Sequence, residues 1–216
     1  MTTEIFVAGQ ETIDDAAEKA GEILRNGGIA AFPTDTVYGL GAVFSDAQAV
    51  QKIFTAKGRP EQKPLSILVS DASQVEQLAE NVTEEAKRLM NRFWPGALTL
   101  IFRQKESAGI PEEVTAGGQT IGVRMPDCAL TVRIIEEAGK PLAAPSANLS
   151  GRRSASCGQD VIEDLDGRID LIIDGGSCTV GVSSTVLDLS GTEPRILREG
   201  TITREMLKET IGMNVL

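Results

Sequence analysis

The chain has 216 residues, 41% of them apolar and 24% charged, a balance that suits one folded core and excludes a disordered or fibrous protein. Its 31 acidic residues against 21 basic ones give a formal charge of −10, the opposite of the bias that grips nucleic acid through many phosphates. The absence of histidine excludes Ser/His and Cys/His nucleophile pairs, imidazole bases and histidine metal sites together.

Residues 1–10 carry Glu4 and no basic residue, so they lack the charged flank and apolar block of a secretion signal. Apolar stretches such as Leu171 to Ile173 fall far short of the roughly 20 residues a membrane helix needs. Three cysteines, Cys128, Cys157 and Cys178, odd in number and without a CxxC, have the usage of a reducing compartment. The expectation is a cytoplasmic protein.

From Thr12 to Asn26 apolar residues recur at helical spacing between a Thr12/Asp15 cap pattern and Gly27-Gly28, which predicts an amphipathic helix. Ile29 to Phe32 reads as a buried strand that stops at Pro33. A second helix starts at Asp46 and ends at Lys57-Gly58-Arg59-Pro60, where proline forbids continuation. Strands are predicted at 65–69, 97–102, 119–125 and 141–144, with helices at 71–80, 83–92 and 127–138 between them. The tail reads as strands near 170–173, 185–189 and 195–197 and a helix over 203–211, with the longest loops at 105–118 and 151–158. Interleaving of this kind implies an α/β fold around a largely buried mixed sheet, and residues 1–216 read as one domain.

The unusual residues gather in the loops at strand ends. Pro33-Thr34-Asp35-Thr36-Val37-Tyr38-Gly39-Leu40-Gly41 offers two hydroxyls, a carboxylate and two glycines that would let backbone approach a ligand; alone it reads equally as a capped turn. Lys57, Arg59 and Lys63 place three cations at a helix end, either partners of the helix dipole or a clamp for phosphates. Neither GxxxxGK[ST] nor GxGxxG is present to compete for a nucleotide. Ser146 and Asn148 follow an apolar strand bracketed by Pro141 and Pro145, as turn caps or as fixed hydrogen-bonding groups on a rigid loop. Arg124 is a cation inside an apolar strand, so it is either half of a structural ion pair or a receptor for a ligand's carboxylate.

In this order the segments resemble the YrdC-like threonylcarbamoyl-AMP synthase family: PTDTVYGLG at 33–41, the KxR of Lys57 and Arg59, RPxxKPL through Leu65, FWPGALTL at 93–100, GVRMP at 122–126, the SxN of Ser146 and Asn148, SSTVLDL and ILREG. Each motif is weak alone, but together they cover the chain from about residue 16 to residue 200. The resemblance implies a twisted, open mixed sheet with flanking helices and a large concave cavity, in the short form that lacks the additional C-terminal domain of longer relatives. It implies a nucleotidyltransferase that joins L-threonine, bicarbonate and ATP into threonylcarbamoyl-AMP, releasing pyrophosphate. Mg²⁺ is expected with the ATP, with no metal site of the protein's own, and transfer to tRNA is expected to belong to a separate partner complex.

By motif position, Lys57 and Arg59 are the implied catalytic residues. Thr36, Arg124, Ala144 and Ser184 are the implied threonine contacts, and Arg59, Lys63, Thr120, Ser146, Asn148, Ser154 and Arg198 the implied nucleotide contacts. The family varies at Lys63, Leu68 and Ala144. Two other readings stay open: an enzyme of the same architecture that adenylates carbamate, and a module that binds double-stranded RNA or tRNA.

Overall fold

The structure, a computed structural model, describes residues 2–216. In chain order the elements are β1 (Glu4–Val7), α1 (Ile13–Arg25), β2 (Ala30–Phe32), β3 (Gly39–Val43), α2 (Ala47–Lys57), β4 (Ser66–Leu68), α3 (Val75–Leu78), α4 (Glu84–Phe93) and β5 (Leu98–Arg103). There follow α5 (Glu112–Thr115), β6 (Thr120–Arg124), α6 (Ala129–Ala138), β7 (Leu142–Ala143), α7 (Gly158–Leu165), β8 (Leu171–Asp174), β9 (Thr185–Asp188), β10 (Arg195–Arg198) and α8 (Arg204–Ile211).

The strands form one mixed sheet in the order β1-β8-β2-β3-β7-β4-β6-β5-β9-β10. β8 runs parallel to β1 and β2, β4 to β6, and β5 to β9, while β3 and β7 sit antiparallel to their neighbours in the middle. Alternate side chains of each strand feed opposite faces. Phe32, Leu171 and Ile173 pack under α1 and α6 on one face. Ala31, Ile172, Ile67 and Val123 join the larger cluster with residues of α2, α4 and α8 on the other.

Two differences from the sequence expectation have identifiable causes. The helix expected over 71–80 shrinks to a 3-10 turn at Ala72–Gln74 and the single turn of α3, because residues 79 and 80 are captured by the sheet edge. Ala79 bridges Gln104, and the Glu80 N–H donates to the Arg103 carbonyl at 2.9 Å. β3 begins within the stretch read as a ligand loop, its strand signal hidden by Gly39 and Gly41. A Cβ on Gly41 would stand 2.6 Å from the Phe32 ring, so packing inside the sheet requires this glycine, not approach to a ligand. Gly39 does face the cleft described next.

α2 fixes the position of the first cation cluster. The Asp46 side chain accepts the Ala49 N–H at 3.0 Å to start the helix, and Gly58 ends it in the left-handed region at φ 58°. Lys57 is therefore the last helical residue, and Arg59 lies on the turn beyond it. Among the described residues no helix is long and apolar enough to cross a membrane.

Candidate active site

β3 and the loop after β7 zip together at the centre of the sheet. The Leu40 N–H donates to the Pro145 carbonyl at 2.9 Å and the Ala147 N–H to the Tyr38 carbonyl at 2.8 Å. Their junction is the floor of an open cleft of about 830 Å³, counted out to the solvent. Eight of the residues implied by the sequence meet on its walls: Thr36, Arg59, Arg124, Ala144, Ser146, Ser154, Ser184 and Arg198.

Arg124 ends β6 inside this cleft as half of a buried ion pair, the first of the two alternatives read from the sequence. Its Nη2 pairs with the Asp35 carboxylate, Nη1 donates to Thr36 Oγ1 at 2.6 Å, and Nε donates to the Gly96 carbonyl at 2.9 Å. Five donors against three protein acceptors leave capacity for a ligand. Burial lowers the guanidinium's pKa, the Asp35 carboxylate opposes that shift, and Arg198 adds to it, so two cations converge here.

Thr99 on the neighbouring strand β5, Ser184 and Arg198 form a hydrogen-bonded cluster on the cleft wall. Thr99 Oγ1 and Ser184 Oγ are 2.8 Å apart, Arg198 Nη2 donates to Ser184 Oγ at 3.1 Å, and Arg198 Nε donates to the Ser184 carbonyl at 2.9 Å. Arg59 Nη2 donates to the Pro64 carbonyl at 3.0 Å. Burial lowers the pKa of both Arg59 and Arg198, and among the described residues neither meets a carboxylate. The cleft therefore presents cations and hydroxyls with one internal acid already spent on Arg124, which suits an anionic ligand.

Four implied residues lie off the cleft wall. Lys57 is 2% exposed and its Nζ donates to the backbone carbonyls of Ser146 and Asn148, so its ammonium is seated behind the loop that carries Ser146. Its pKa falls to about 7, chiefly by burial and then by the Arg59 cation, with Asp164 opposing. Asn148 is buried; its Nδ2 donates to the Leu149 and Arg152 carbonyls at 2.8 and 3.0 Å, and its Oδ1 has no protein partner. Lys63 is exposed on the turn after α2. Thr120 begins β6 opposite Arg103, at the far end of the strand from Arg124.

Sequence reasoning missed the contacts that Asp35, Thr99 and Asp164 make at and behind the cleft. Asp35 stood inside a quoted motif, but its partner is 89 positions away. Thr99 carried a weak signal as a hydroxyl within an apolar strand. Asp164, on α7, carried none.

Comparison with known proteins agrees with this architecture. The family described as "Telomere recombination" and named for Sua5, YciO and YrdC matches residues 22–200. The chain is 50% identical over 201 residues to the threonylcarbamoyl-AMP synthase of Bacillus subtilis, and 46% identical over 193 residues to that of Pyrococcus abyssi. These matches cover 93% and 89% of this chain but 58% and 56% of the relatives, so it spans less than two thirds of their length. The solved structure of P. abyssi Sua5 complexed with L-threonine superimposes with a TM-score of 0.92 at 41% identity, covering 100% of this chain and 63% of that one. Escherichia coli YciO superimposes with a TM-score of 0.79 at 28% identity, covering 92% of this chain and 96% of that one.

Proposed function

The chain belongs to the Sua5, YciO and YrdC family, and we propose that it makes L-threonylcarbamoyl-AMP and pyrophosphate from L-threonine, bicarbonate and ATP. The observation that carries this reading is the convergence of Arg124 and Thr36 with Arg59, Ser146 and Arg198 on one cleft. The threonine complex of the related P. abyssi protein supports the amino-acid half of it.

In the proposed reaction the threonine amine adds to bicarbonate, water leaves, and a carbamate forms. A carbamate oxygen then attacks the α-phosphorus of ATP, the bond to the β-phosphate oxygen breaks, and pyrophosphate departs. Arg124, held by Asp35, would receive the threonine carboxylate beside Thr36, Ser184 and Ala144. Arg59 and Arg198 would face the phosphates, with Ser146 and Ser154 completing the nucleotide wall. Lys57 and Asn148 would act one layer back, through the Ser146 loop; Lys63 and Thr120 would reach the nucleotide at its outer edge. No histidine is required, because the chemistry is positioning and charge neutralisation.

Mg²⁺ would enter with the ATP. Among the described residues no cluster of three or more acidic or cysteine side chains is placed to hold a metal ion. When bound, the ion would neutralise charge on the phosphates.

We further read residues 1–216 as one catalytic domain working in the cytoplasm, where its free cysteines would stay reduced, and passing its product to a separate complex acting on tRNA. The test is pyrophosphate release with ATP, bicarbonate and each amino acid, with the adduct identified by mass. Threonine-dependent release with a threonylcarbamoyl-AMP adduct is expected. Release that does not need threonine would transfer the protein to the carbamate-adenylating class.

A further inference from the structure

We propose that Asp164, outside the cleft on α7, is a positioning residue that fixes the Ser146–Arg152 loop and holds the Lys57 side chain seated against it. One carboxylate touches both halves of a closed hydrogen-bond ring. Asp164 Oδ2 accepts the Leu149 N–H at 3.0 Å and Oδ1 accepts Arg152 Nη1 at 2.6 Å. The Arg152 carbonyl accepts Asn148 Nδ2 at 3.0 Å, and the Asn148 and Ser146 carbonyls accept Lys57 Nζ. The Ser150 N–H closes the ring on the Lys57 carbonyl at 2.8 Å. Ser146, on the same loop, lines the cleft.

The placement of Asp164 runs against its own helix. It is the penultimate residue of α7 and 9% exposed, whereas the C-terminal end of a helix disfavours a carboxylate and burial disfavours its charge. Helix stability therefore does not account for it; the loop and the lysine do. The charged groups facing Lys57 are Arg59 from the turn after α2, which disfavours its ammonium, and Asp164 from α7, which favours it. Arg152, on the loop, shares the Asp164 charge. Burial and then the Arg59 cation lower the Lys57 pKa to about 7, and Asp164 opposes that fall. The ammonium makes the stronger bonds to the two carbonyls.

The effect on turnover rests on the adenylate-forming reading of the cleft; the link between Asp164 and Lys57 does not. Lys57 is titrated by nitrogen-15 NMR in the unaltered protein, Asp164→Asn, Asp164→Glu and Arg152→Ala, beside pH profiles of kcat/KM for ATP. Asp164→Asn is expected to lower the Lys57 midpoint by roughly half a unit or more, and to move the alkaline limb of kcat/KM down with it. Arg152→Ala, which frees the Asp164 charge, is expected to move the midpoint up, and Asp164→Glu to restore part of the lost shift. An unchanged Lys57 midpoint in Asp164→Asn, with only a lower melting temperature, would overturn the proposal. If that variant does not fold, an unchanged or lowered midpoint in Arg152→Ala overturns it. A Lys57 midpoint that responds as expected in a protein forming no adenylate would refute the reaction and leave the positioning role standing.

Discussion

The Arg124 guanidinium and the Asp35 carboxylate form an ion pair in which each side chain is 7% exposed. The pair ties the end of β6 to the loop after β2 and aims the remaining guanidinium donors at the cleft. The Asp35 carboxylate also accepts the Asp127 N–H at 3.1 Å, just beyond the end of β6. Removing one partner of a buried pair leaves an uncompensated charge. Asp35→Ala is expected to lower unfolding free energy by about 3–5 kcal/mol, read by urea denaturation, and to weaken threonine binding.

Arg59 is a different kind of cation. Its protein bonds end on the carbonyls of Lys63 and Pro64 in its own turn, at 3.4 and 3.0 Å. Arg59→Ala is therefore expected to cut turnover roughly a hundredfold, the scale of losing one donor to developing charge, while the melting temperature barely moves. A large drop in stability with activity retained would make Arg59 structural.

Lys57 gives a pH signature. Its folded pKa of about 7 lies below the ordinary 10.5, so between those values the unfolded chain binds a proton that the folded chain does not. The cost of burying the ammonium is fully present below pH 7 and is relieved as pH rises toward 10.5. Relative to Lys57→Met, the unaltered protein should gain stability across that interval. Denaturation midpoints of the two proteins measured in parallel check this; a gap independent of pH contradicts it.

Gly200 has no room for a side chain. A Cβ there would stand 2.4 Å from the Ser183 carbonyl oxygen and 2.8 Å from the Thr185 nitrogen, and its own N–H donates to Thr185 Oγ1 at 2.8 Å. Gly200→Ala is expected to displace the Ser183-Ser184 segment, costing about 1–3 kcal/mol and raising KM for threonine more than KM for ATP. Thermal melting and steady-state kinetics together read both effects.

Much of this was legible because chemistry-bearing residues interrupt apolar strands: Thr36 after β2, Arg124 ending β6, Ser146 after β7. Spacing along the chain marked those positions as unusual and order among them carried the resemblance. What spacing could not supply is direction. Lys57 and Arg59 stand two residues apart, yet one points into a loop and the other into the cleft, a consequence of the helix ending between them at Gly58. Through-space partners were equally hidden: Asp35 from Arg124, Thr99 from Ser184 and Asp164 from the Ser146 loop. β3 escaped notice because Gly39 and Gly41 dilute the apolar alternation that marks a strand.

The central claim is that one cleft holds an amino acid and a nucleotide side by side, and calorimetric titration of L-threonine tests it most directly, with and without a non-hydrolysable ATP analogue. One threonine per chain should bind in both conditions, and Arg124→Ala should abolish it. Competition between threonine and the analogue, or threonine binding that survives the loss of Arg124, would contradict the account.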